Sequence, residues 1–495
     1  MTAPRRRSTE STSASVAVVE LDPLSQLLAG YVGKVGAADD SLADMLVQPA
    51  PLGIGDVVRY NHLRKQWHYW NDVRWRGDGM GYVQDLIRKR AVMWLSADVL
   101  TGTDNKAVLS LLGTGKKETV LTSLSRRETI AMKGDEWDQD PYLLGFENGI
   151  LDLRTMEFDP KPSSTTLISK SVGYDWEPTA DAGEFWSFLK DIMSKDDELA
   201  GYLGAVLGYS LFGLQSEQKF WMWTGGGQNG KGILARTMVR VLGEYADSPS
   251  DTMYMRTRFG TVPSSAARPD LMRLQGIRFT YMSEPQGGQF NEELLKAHTG
   301  EDLILARDLY GKAGEFAQFS PTHKIIFLCN ELPKTVDVGV SMRRRARVIK
   351  FQETYLPPDH EPDNMLEERL KGLKAGIIVG LAAFARAWWN EGKPGMVEPA
   401  NVRHWSDAYI ASNDPLAPFL RECCIIEQRV TGSTRDLWTA YEDWAIRSNI
   451  EAMSQTGFGL ALGKRFKKVH TEKGNAWQGV RAKSALEYAE GVGDE

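Results

Sequence analysis

The stretch Gly225-Gly226-Gly227-Gln228-Asn229-Gly230-Lys231-Gly232-Ile233 sets a glycine, four residues, a second glycine and a lysine in the spacing that holds nucleotide phosphates. Glycines let the backbone curl close enough for its N–H groups to reach phosphate oxygens. A helix that follows adds the partial positive charge of its N-terminus. Lys231 supplies a full charge on a mobile stem for the outer phosphates. One position departs from the pattern. Gly232 stands where a Ser or Thr hydroxyl would coordinate Mg²⁺. The metal is then expected to rely on water and on an acid from a neighbouring strand, which touches metal geometry more than phosphate binding.

Such a site needs that acid at a strand end, to polarise the attacking water or to hold Mg²⁺. Glu284 closes the stretch Arg278-Phe-Thr-Tyr-Met-Ser-Glu284 and is the candidate for both tasks. Asn330 ends the apolar run Ile325-Ile-Phe-Leu-Cys-Asn330, where an amide can hydrogen-bond the γ-phosphate or the water. A lone Asn at a strand end usually makes a turn; its weight here comes from following Lys231 and Glu284 in order. The run Met342-Arg343-Arg344-Arg345-Ala346-Arg347 reads first as a solvated basic face. Because it precedes a strand in the same region, one of its arginines could instead reach the γ-phosphate of an adjacent subunit. A second candidate is dismissed. Gly113-Thr-Gly115-Lys116 imitates the end of a phosphate loop, but Ser110 stands where the first glycine belongs, and the stretch reads as a loop.

The elements that must position these residues alternate in type. Lys219 to Thr224, Ile277 to Ser283, Lys324 to Cys329 and Arg347 to Phe351 are strand candidates. Leu234, Met238, Val241 and Leu242 recur on one helical face. A helix is expected from about Phe185 to Leu203, and a helical stretch follows the break at Pro357, Pro358 and Pro362. The alternation predicts an α/β core with a mainly parallel sheet. Upstream, Asp56 to Trp75 interleaves Tyr60, Trp67, Tyr69, Trp70 and Trp75 with Arg59, Arg64, Lys65 and Arg74. That pattern could stack bases of a single strand; the preferred reading is cross-strand pairs of a small sheet. Glu147-Asn148-Gly149-Ile150 carries an Asn-Gly turn between short strands.

The expected divisions are a disordered tail over 1–50, an N-terminal domain of mixed α+β type over 51–180 and an ATPase domain over 181–355. A helical segment is expected over 356–412, and 413–495, where helical and turn signals alternate, is expected to be a further domain. With 495 residues, several domains are expected. A net charge of −6 excludes a histone-like polycation, so any nucleic-acid surface must be local. The longest apolar run, Ala375 to Ala385, is too short for a bilayer, which needs roughly 18 residues. The cysteines, Cys329, Cys423 and Cys424, suit neither a disulfide framework nor zinc and point to a reducing cytoplasm. Arg5, Arg6 and Arg7 with the Ser-rich stretch after them read as tail rather than signal peptide.

Taken in order, these motifs resemble the superfamily 3 helicases, in the phage and plasmid primase-helicase branch of the AAA+ ATPases. The likeness runs from about Val57 to the C-terminus. Besides the phosphate loop it includes Arg74-Trp75, Asn148-Gly149, Leu207-Gly208-Tyr209, Ala306-Arg307-Asp308-Leu309-Tyr310, Asn330-Glu-Leu-Pro333, Arg344-Arg345 and Val348-Ile-Lys-Phe351. The resemblance implies an AAA+ core, ATP with Mg²⁺, and a homo-oligomeric ring, usually a hexamer, that moves 3′ to 5′ on single-stranded and forked DNA. It implies a DNA-gripping β-hairpin in the segment Arg307 to Phe319, with Arg307 nearby and Lys312 at the tip on the phosphate backbone. Arg345 aligns best as an arginine finger acting in trans, with Arg344 second. The end of the chain resembles a winged helix, whose Lys464, Arg465, Lys467 and Lys468 would face duplex phosphates; a merely solvated basic helix is the alternative. Residues 1–56 leave no room for the primase catalytic domain of longer relatives, so no primer synthesis is expected, and a replication-initiation or primase partner and a bacterial host cytoplasm for a phage protein would fit. Two other readings compete: an ATP-driven DNA translocase without strand separation, and a DNA-binding initiator or scaffold that hydrolyses little, as Gly232 would allow.

Overall fold

The computed structural model describes residues 22–35, 39–256, 268–285, 288–306, 316–355, 363–391, 396–472, 474–484 and 487. It divides into two compact units, Met1–Glu136 and Trp137–Glu495.

In the first unit the aromatic-rich stretch makes antiparallel strands Val58–Asn61, Gln66–Trp70 and Trp75–Gly77, with Ala131–Met132 parallel to the first. Tyr60 stands directly opposite Trp67 and Trp70 opposite Trp75, with ring centroids 5.0 and 5.6 Å apart. Trp75 is fully buried. The aromatics therefore serve cross-strand packing, as preferred. The tail expected over 1–50 needs correcting, because Pro23–Ala29 and Asp39–Leu46 are helices. Asp22 caps the first by accepting from the N–H groups of Leu24 and Ser25. Leu42, Met45 and Leu46, spaced for one helical face, are buried in the core of the unit. Tail-like composition belongs to the Arg- and Ser-rich beginning, not to this part. Gly113-Thr-Gly115-Lys116 is also not a loop: Thr114–Leu124 is a helix with Gly113 at its N-cap, and Lys116 pairs with Asp39. A helix, Gly102–Ser110, precedes it where a phosphate loop would follow a strand.

The second unit is built on a five-stranded sheet, numbered here β1 (Phe220–Thr224), β2 (Ala246–Asp247), β3 (Phe279–Ser283), β4 (Lys324–Cys329) and β5 (Ala346–Lys350). Its order is β5-β1-β4-β3-β2, and every adjacent pair is parallel. All residues of β1 and β4 are buried, as strands covered on both faces must be. Helix α1 (Lys231–Leu242) follows β1 and buries Leu234, Met238, Val241 and Leu242. The expected helix from Phe185 to Leu203 is two helices, Gly183–Ile192 and Asp197–Tyr209. Ser194 and Lys195 take positive φ between them, and Asp196 caps the second by accepting from Glu198 and Leu199. The Asn148-Gly149 turn joins Leu143–Gly145 to Ile150–Asp152 as expected. These strands pack with the second compact unit, which begins at Trp137. Leu144, Phe146, Leu151 and Leu153 pack into the same core as β1 and α1.

Helix Asp197–Tyr209 lies against Lys374–Asn390, and Trp221 of β1 donates its indole N–H to Tyr202 Oη at 3.1 Å. Beyond Ala400–Ser412, the end of the chain forms helices Ala417–Cys423, Thr434–Arg447 and Gln455–Gly463. The last two are followed by a hairpin of Lys467–Thr471 and Gly474–Gln478, joined at its edge by Thr431–Ser433. Leu437, Tyr441, Trp444 and Ala445 face its core, as their spacing predicts.

Gly204 and Gly208, one turn apart, let Lys374–Asn390 approach the backbone of Asp197–Tyr209. A Cβ on Gly208 would stand 2.6 Å from Phe384 Cβ and 2.8 Å from the Leu381 carbonyl oxygen. Gly208→Leu should therefore cost about 1–3 kcal/mol through overpacking and lower the thermal midpoint. An unchanged midpoint would show that the two helices can separate freely.

Candidate nucleotide-binding site

The loop after β1 takes the conformation its glycines predict. Gly227 and Gly230 have φ of 92° and 85°. A Cβ at Gly225 would lie 2.4 Å from the Phe351 carbonyl oxygen, and one at Gly230 would lie 2.5 Å from Ile192 Cγ2. Only glycine fits at either end of the loop. Leu234 N–H donates to the Gly230 carbonyl, so α1 starts directly from the loop. Lys231 is 6% exposed, and its ammonium donates to the Gly225 carbonyl oxygen at 2.7 Å. Burial lowers its pKa, while Cys329 and Glu284 oppose that shift. An anionic ligand in the loop would favour the charged form.

The acid and the amide come from the two strands beyond. Glu284 follows β3 and its N–H donates to the Leu328 carbonyl at 2.8 Å. Its φ is 49°, a strained value for a residue with a Cβ. Asn330 follows β4 and its amide Nδ2 donates to Glu284 Oε1 at 2.9 Å. Thr224 Oγ1 donates to the Asn330 carbonyl at 3.4 Å, and Gly225 N–H donates to Cys329 O at 3.3 Å. The ends of β1, β3 and β4 are thereby held side by side at the carboxyl edge of a parallel sheet, where ligands of such sheets bind. A cleft of about 840 Å³ opens there, lined by Gly227 to Ile233 of the loop and α1, and by Glu284 and Asn330. Gly225 and Gly226 complete the loop behind it.

Among the described residues no cluster of three His, Cys, Asp or Glu could hold a metal. A divalent ion here would take one protein carboxylate, Glu284, and otherwise phosphate oxygens and water, which is the usual habit of Mg²⁺. Glu284 is the residue beside the loop that would face such an ion. Among the described residues, the buried amide Asn229 Nδ2 of this loop, 2% exposed, has no hydrogen-bond partner.

The arginines of helix Val340–Arg345 separate by exposure. Arg345, the first choice from sequence, is 7% exposed. Its Nε donates to Thr299 Oγ1 at 3.1 Å and its Nη1 to Ser341 Oγ at 2.9 Å. Burial lowers its pKa, with Arg344 adding to the shift. Arg344 is exposed. The helical turn points successive side chains in different directions, and it turns Arg345 inward while Arg343 and Arg344 stay exposed.

The DNA-contact candidates also separate. Arg307 and Lys312 lie outside the described residues. Ile304–Ala306 and Ala317–Phe319, which flank them, pair antiparallel, Ile304 opposite Phe319. Lys464, Lys467 and Lys468 are exposed, in the turn and on the hairpin strand after helix Gln455–Gly463 and not on a basic helix. Arg465 instead pairs with Asp414 in a half-buried ion pair.

Several residues of the cleft carry no local motif. Phe188 and Asp191 arrive from helix Gly183–Ile192, and Tyr355, whose N–H donates to the Gln228 carbonyl, from beyond β5. Asp363, Leu366 and Arg369 come from the approach to and first turns of helix Leu366–Gly372. Their sequence distance from Lys231 hid them. Arg236 had a signal, since it sits one turn after Gly232 on an amphipathic helix.

Residues 43–194 match the family described as D5 N terminal like, and residues 411–494 match that described as Poxvirus D5 protein-like. "Putative helicase L207/L206" of Acanthamoeba polyphaga mimivirus is 29% identical over 329 residues, 62% of this chain and 33% of that protein. "Putative helicase 121R" of Invertebrate iridescent virus 3 is 28% identical over 246 residues, 48% of this chain and 26% of that protein. "Putative primase C962R" of African swine fever virus is 26% identical over 245 residues, 47% and 24% of the two chains. The matched part thus spans a third or less of these relatives. A solved structure of the C-terminal region of NrS-1 is similar at a TM-score of 0.44 and 11% identity, covering 85% of this chain and 94% of that one. Among the described residues no helix is long and apolar enough to cross a membrane.

The burial of Arg345 has a measurable consequence. Arg345→Ala should destabilise the protein by about 1–3 kcal/mol, the cost of breaking a buried hydrogen-bonded network, whereas Arg344→Ala should stay within about 0.5 kcal/mol. Equal denaturation midpoints for the two variants would contradict the packing of Arg345.

Proposed function

We propose that this chain, which belongs to the D5-like primase-helicase family, is an ATP-driven DNA helicase motor with an AAA+ core of the superfamily 3 kind. The observation that carries the reading is the meeting of Lys231, Glu284 and Asn330 at one sheet edge, with Asn330 bonded to Glu284 at 2.9 Å. A scaffold that only binds nucleotide has no use for a carboxylate oriented by an amide beside the phosphate lysine.

In this reading the loop N–H groups and Lys231 bind the phosphates, and Lys231 exchanges the Gly225 carbonyl for phosphate oxygen. Mg²⁺ carried in with the nucleotide would face Glu284 and would supply charge neutralisation to the phosphates. Glu284 accepts a proton from the attacking water, and Asn330 keeps the carboxylate turned toward that water. The strained backbone of Glu284 and its N–H bond to β4 fix the acid relative to the neighbouring strand. Lys312 and Arg307, on the segment between the paired strands Ile304–Ala306 and Ala317–Phe319, would hold the phosphate backbone of single-stranded DNA. Lys464, Lys467 and Lys468 on the winged-helix-like domain would meet duplex phosphates at a fork. Arg465 holds that domain's own structure.

Charge in trans is the remaining requirement of a ring motor. Arg344, exposed beside a packed Arg345, is the better finger, and Arg345 anchors the helix that carries it.

Lys231→Ala should lose DNA-stimulated ATPase, and Glu284→Gln should bind nucleotide yet turn it over at a small fraction of the wild-type rate. Wild-type protein should separate a forked duplex in an ATP-dependent assay. Stimulated hydrolysis without strand separation would favour a translocase, and negligible hydrolysis would favour an initiator or scaffold.

Mixing experiments test the ring. Arg344→Ala protein should bind nucleotide but hydrolyse it more slowly by a factor on the order of 10³. Co-assembly with Lys231→Ala subunits should restore part of the activity, because some interfaces then join an intact Lys231 to an intact Arg344. No recovery in confirmed mixed assemblies would exclude a finger at Arg344.

A further inference from the structure

Gly232 is the position at which this phosphate loop lacks a hydroxyl, and another side chain has taken the space. Arg236 lies one helical turn on, and side chains of α1 lean back toward its N-terminus. A Cβ built on Gly232 would stand 3.0 Å from Arg236 Nη1. Arg236 lines the cleft together with Lys231 and Gly232.

Its charge is incompletely neutralised. Arg236 holds Glu367 in a two-pronged pair, Nε to Oε1 at 3.1 Å and Nη2 to Oε2 at 2.7 Å. Arg240 lies 2.6 Å from the same carboxylate. Two guanidinium groups share one negative charge, which leaves this trio of side chains with one net positive charge. Arg369, by contrast, is balanced by both Glu184 and Asp363. The two arginines hold the Glu367 carboxyl down to about 2, Arg236 having the larger effect.

We propose that Arg236 is a second phosphate-binding cation of this site, standing where a metal-coordinating hydroxyl is missing, and that Glu367 of helix Leu366–Gly372 occupies it until phosphate competes for it. The planar fork of a guanidinium suits phosphate oxygens, and a bare Gly232 is what allows it to lie across the first turn of α1. The proposal rests on the nucleotide reading of the cleft. When a triphosphate engages Arg236, Arg240 remains on Glu367, so the helix stays attached.

The test is the affinity of the full chain for a fluorescent ATP analogue in EDTA, where no divalent ion can compensate. Arg236→Ala should bind about tenfold or more weakly, the worth of a hydrogen-bonded charge, and Arg236→Lys should lose less. Glu367→Gln should bind at least as tightly as wild type, because Arg236 is released. If Arg236→Ala binds like wild type while Lys231→Ala does not, the proposal fails and the nucleotide reading stands. If Arg236→Ala and Glu367→Gln weaken binding alike, the pair is only a structural clasp and the proposal fails. Wild-type binding by Lys231→Ala would remove the nucleotide reading and the proposal together.

Discussion

Cys329 at the end of β4 is paired with Thr224 of β1 on one side, while Leu328 is paired with Ser283 of β3 on the other. This insertion of β4 between the phosphate-loop strand and the acid strand is the constraint on which the cleft depends. Parallel pairing brings three carboxyl ends to one edge, and the register makes them flush. Each is followed at once by a residue of the candidate site: Gly225 after β1, Glu284 after β3 and Asn330 after β4. A slip of one residue would turn the alternate side chains of a fully buried strand to the wrong face. The apolar run of β4, all of it buried, therefore fixes where an exposed amide ends up.

Positive charge in this unit is placed by the neighbours that share it, more than by the sequence spacing of basic residues. Lys231 is nearly enclosed and rests on a carbonyl, ready for an anion. Arg345 is spent on Thr299 and Ser341, inside the packing of its own helix. Arg236 and Arg240 divide one carboxylate, whereas Arg369 has two. Arg465 gives its charge to Asp414. A count of Lys and Arg treats these residues alike; their hydrogen-bond partners decide which can receive a phosphate.

Glycine shows the same division. At Gly225 and Gly230 it lets the loop pack closely on Phe351 and Ile192. At Gly204 and Gly208, which do not line the cleft, it serves the approach of two helices. The Leu207-Gly208-Tyr209 motif therefore reports packing, with Tyr209 buried beside it.

Short-range patterns were sufficient for the phosphate loop, for β4 at its full length, for the buried face of α1 and for the Asn-Gly turn. In each case the cause lies within a few residues: glycine's freedom, apolar periodicity, or a lysine fixed to the start of a helix. The placement of Glu284 and Asn330 just past strand ends was also legible, because a strand end can be recognised by where its apolar run stops. What the amino-acid order left open needed partners distant in the chain. The helices at 23–46 form because their apolar faces find the core of the first unit. The boundary near 136 follows from Leu144 to Leu153 joining a core made mostly of later residues. The choice between Arg344 and Arg345 was closed to sequence, since both sit in one basic run and only the positions of Thr299 and Ser341 tell them apart. Arg236 gains its place from an absent side chain at Gly232 and from Glu367, which lies far along the chain and is brought near by helix packing. Local chemistry is written in neighbouring residues, but exposure and charge balance are properties of packing.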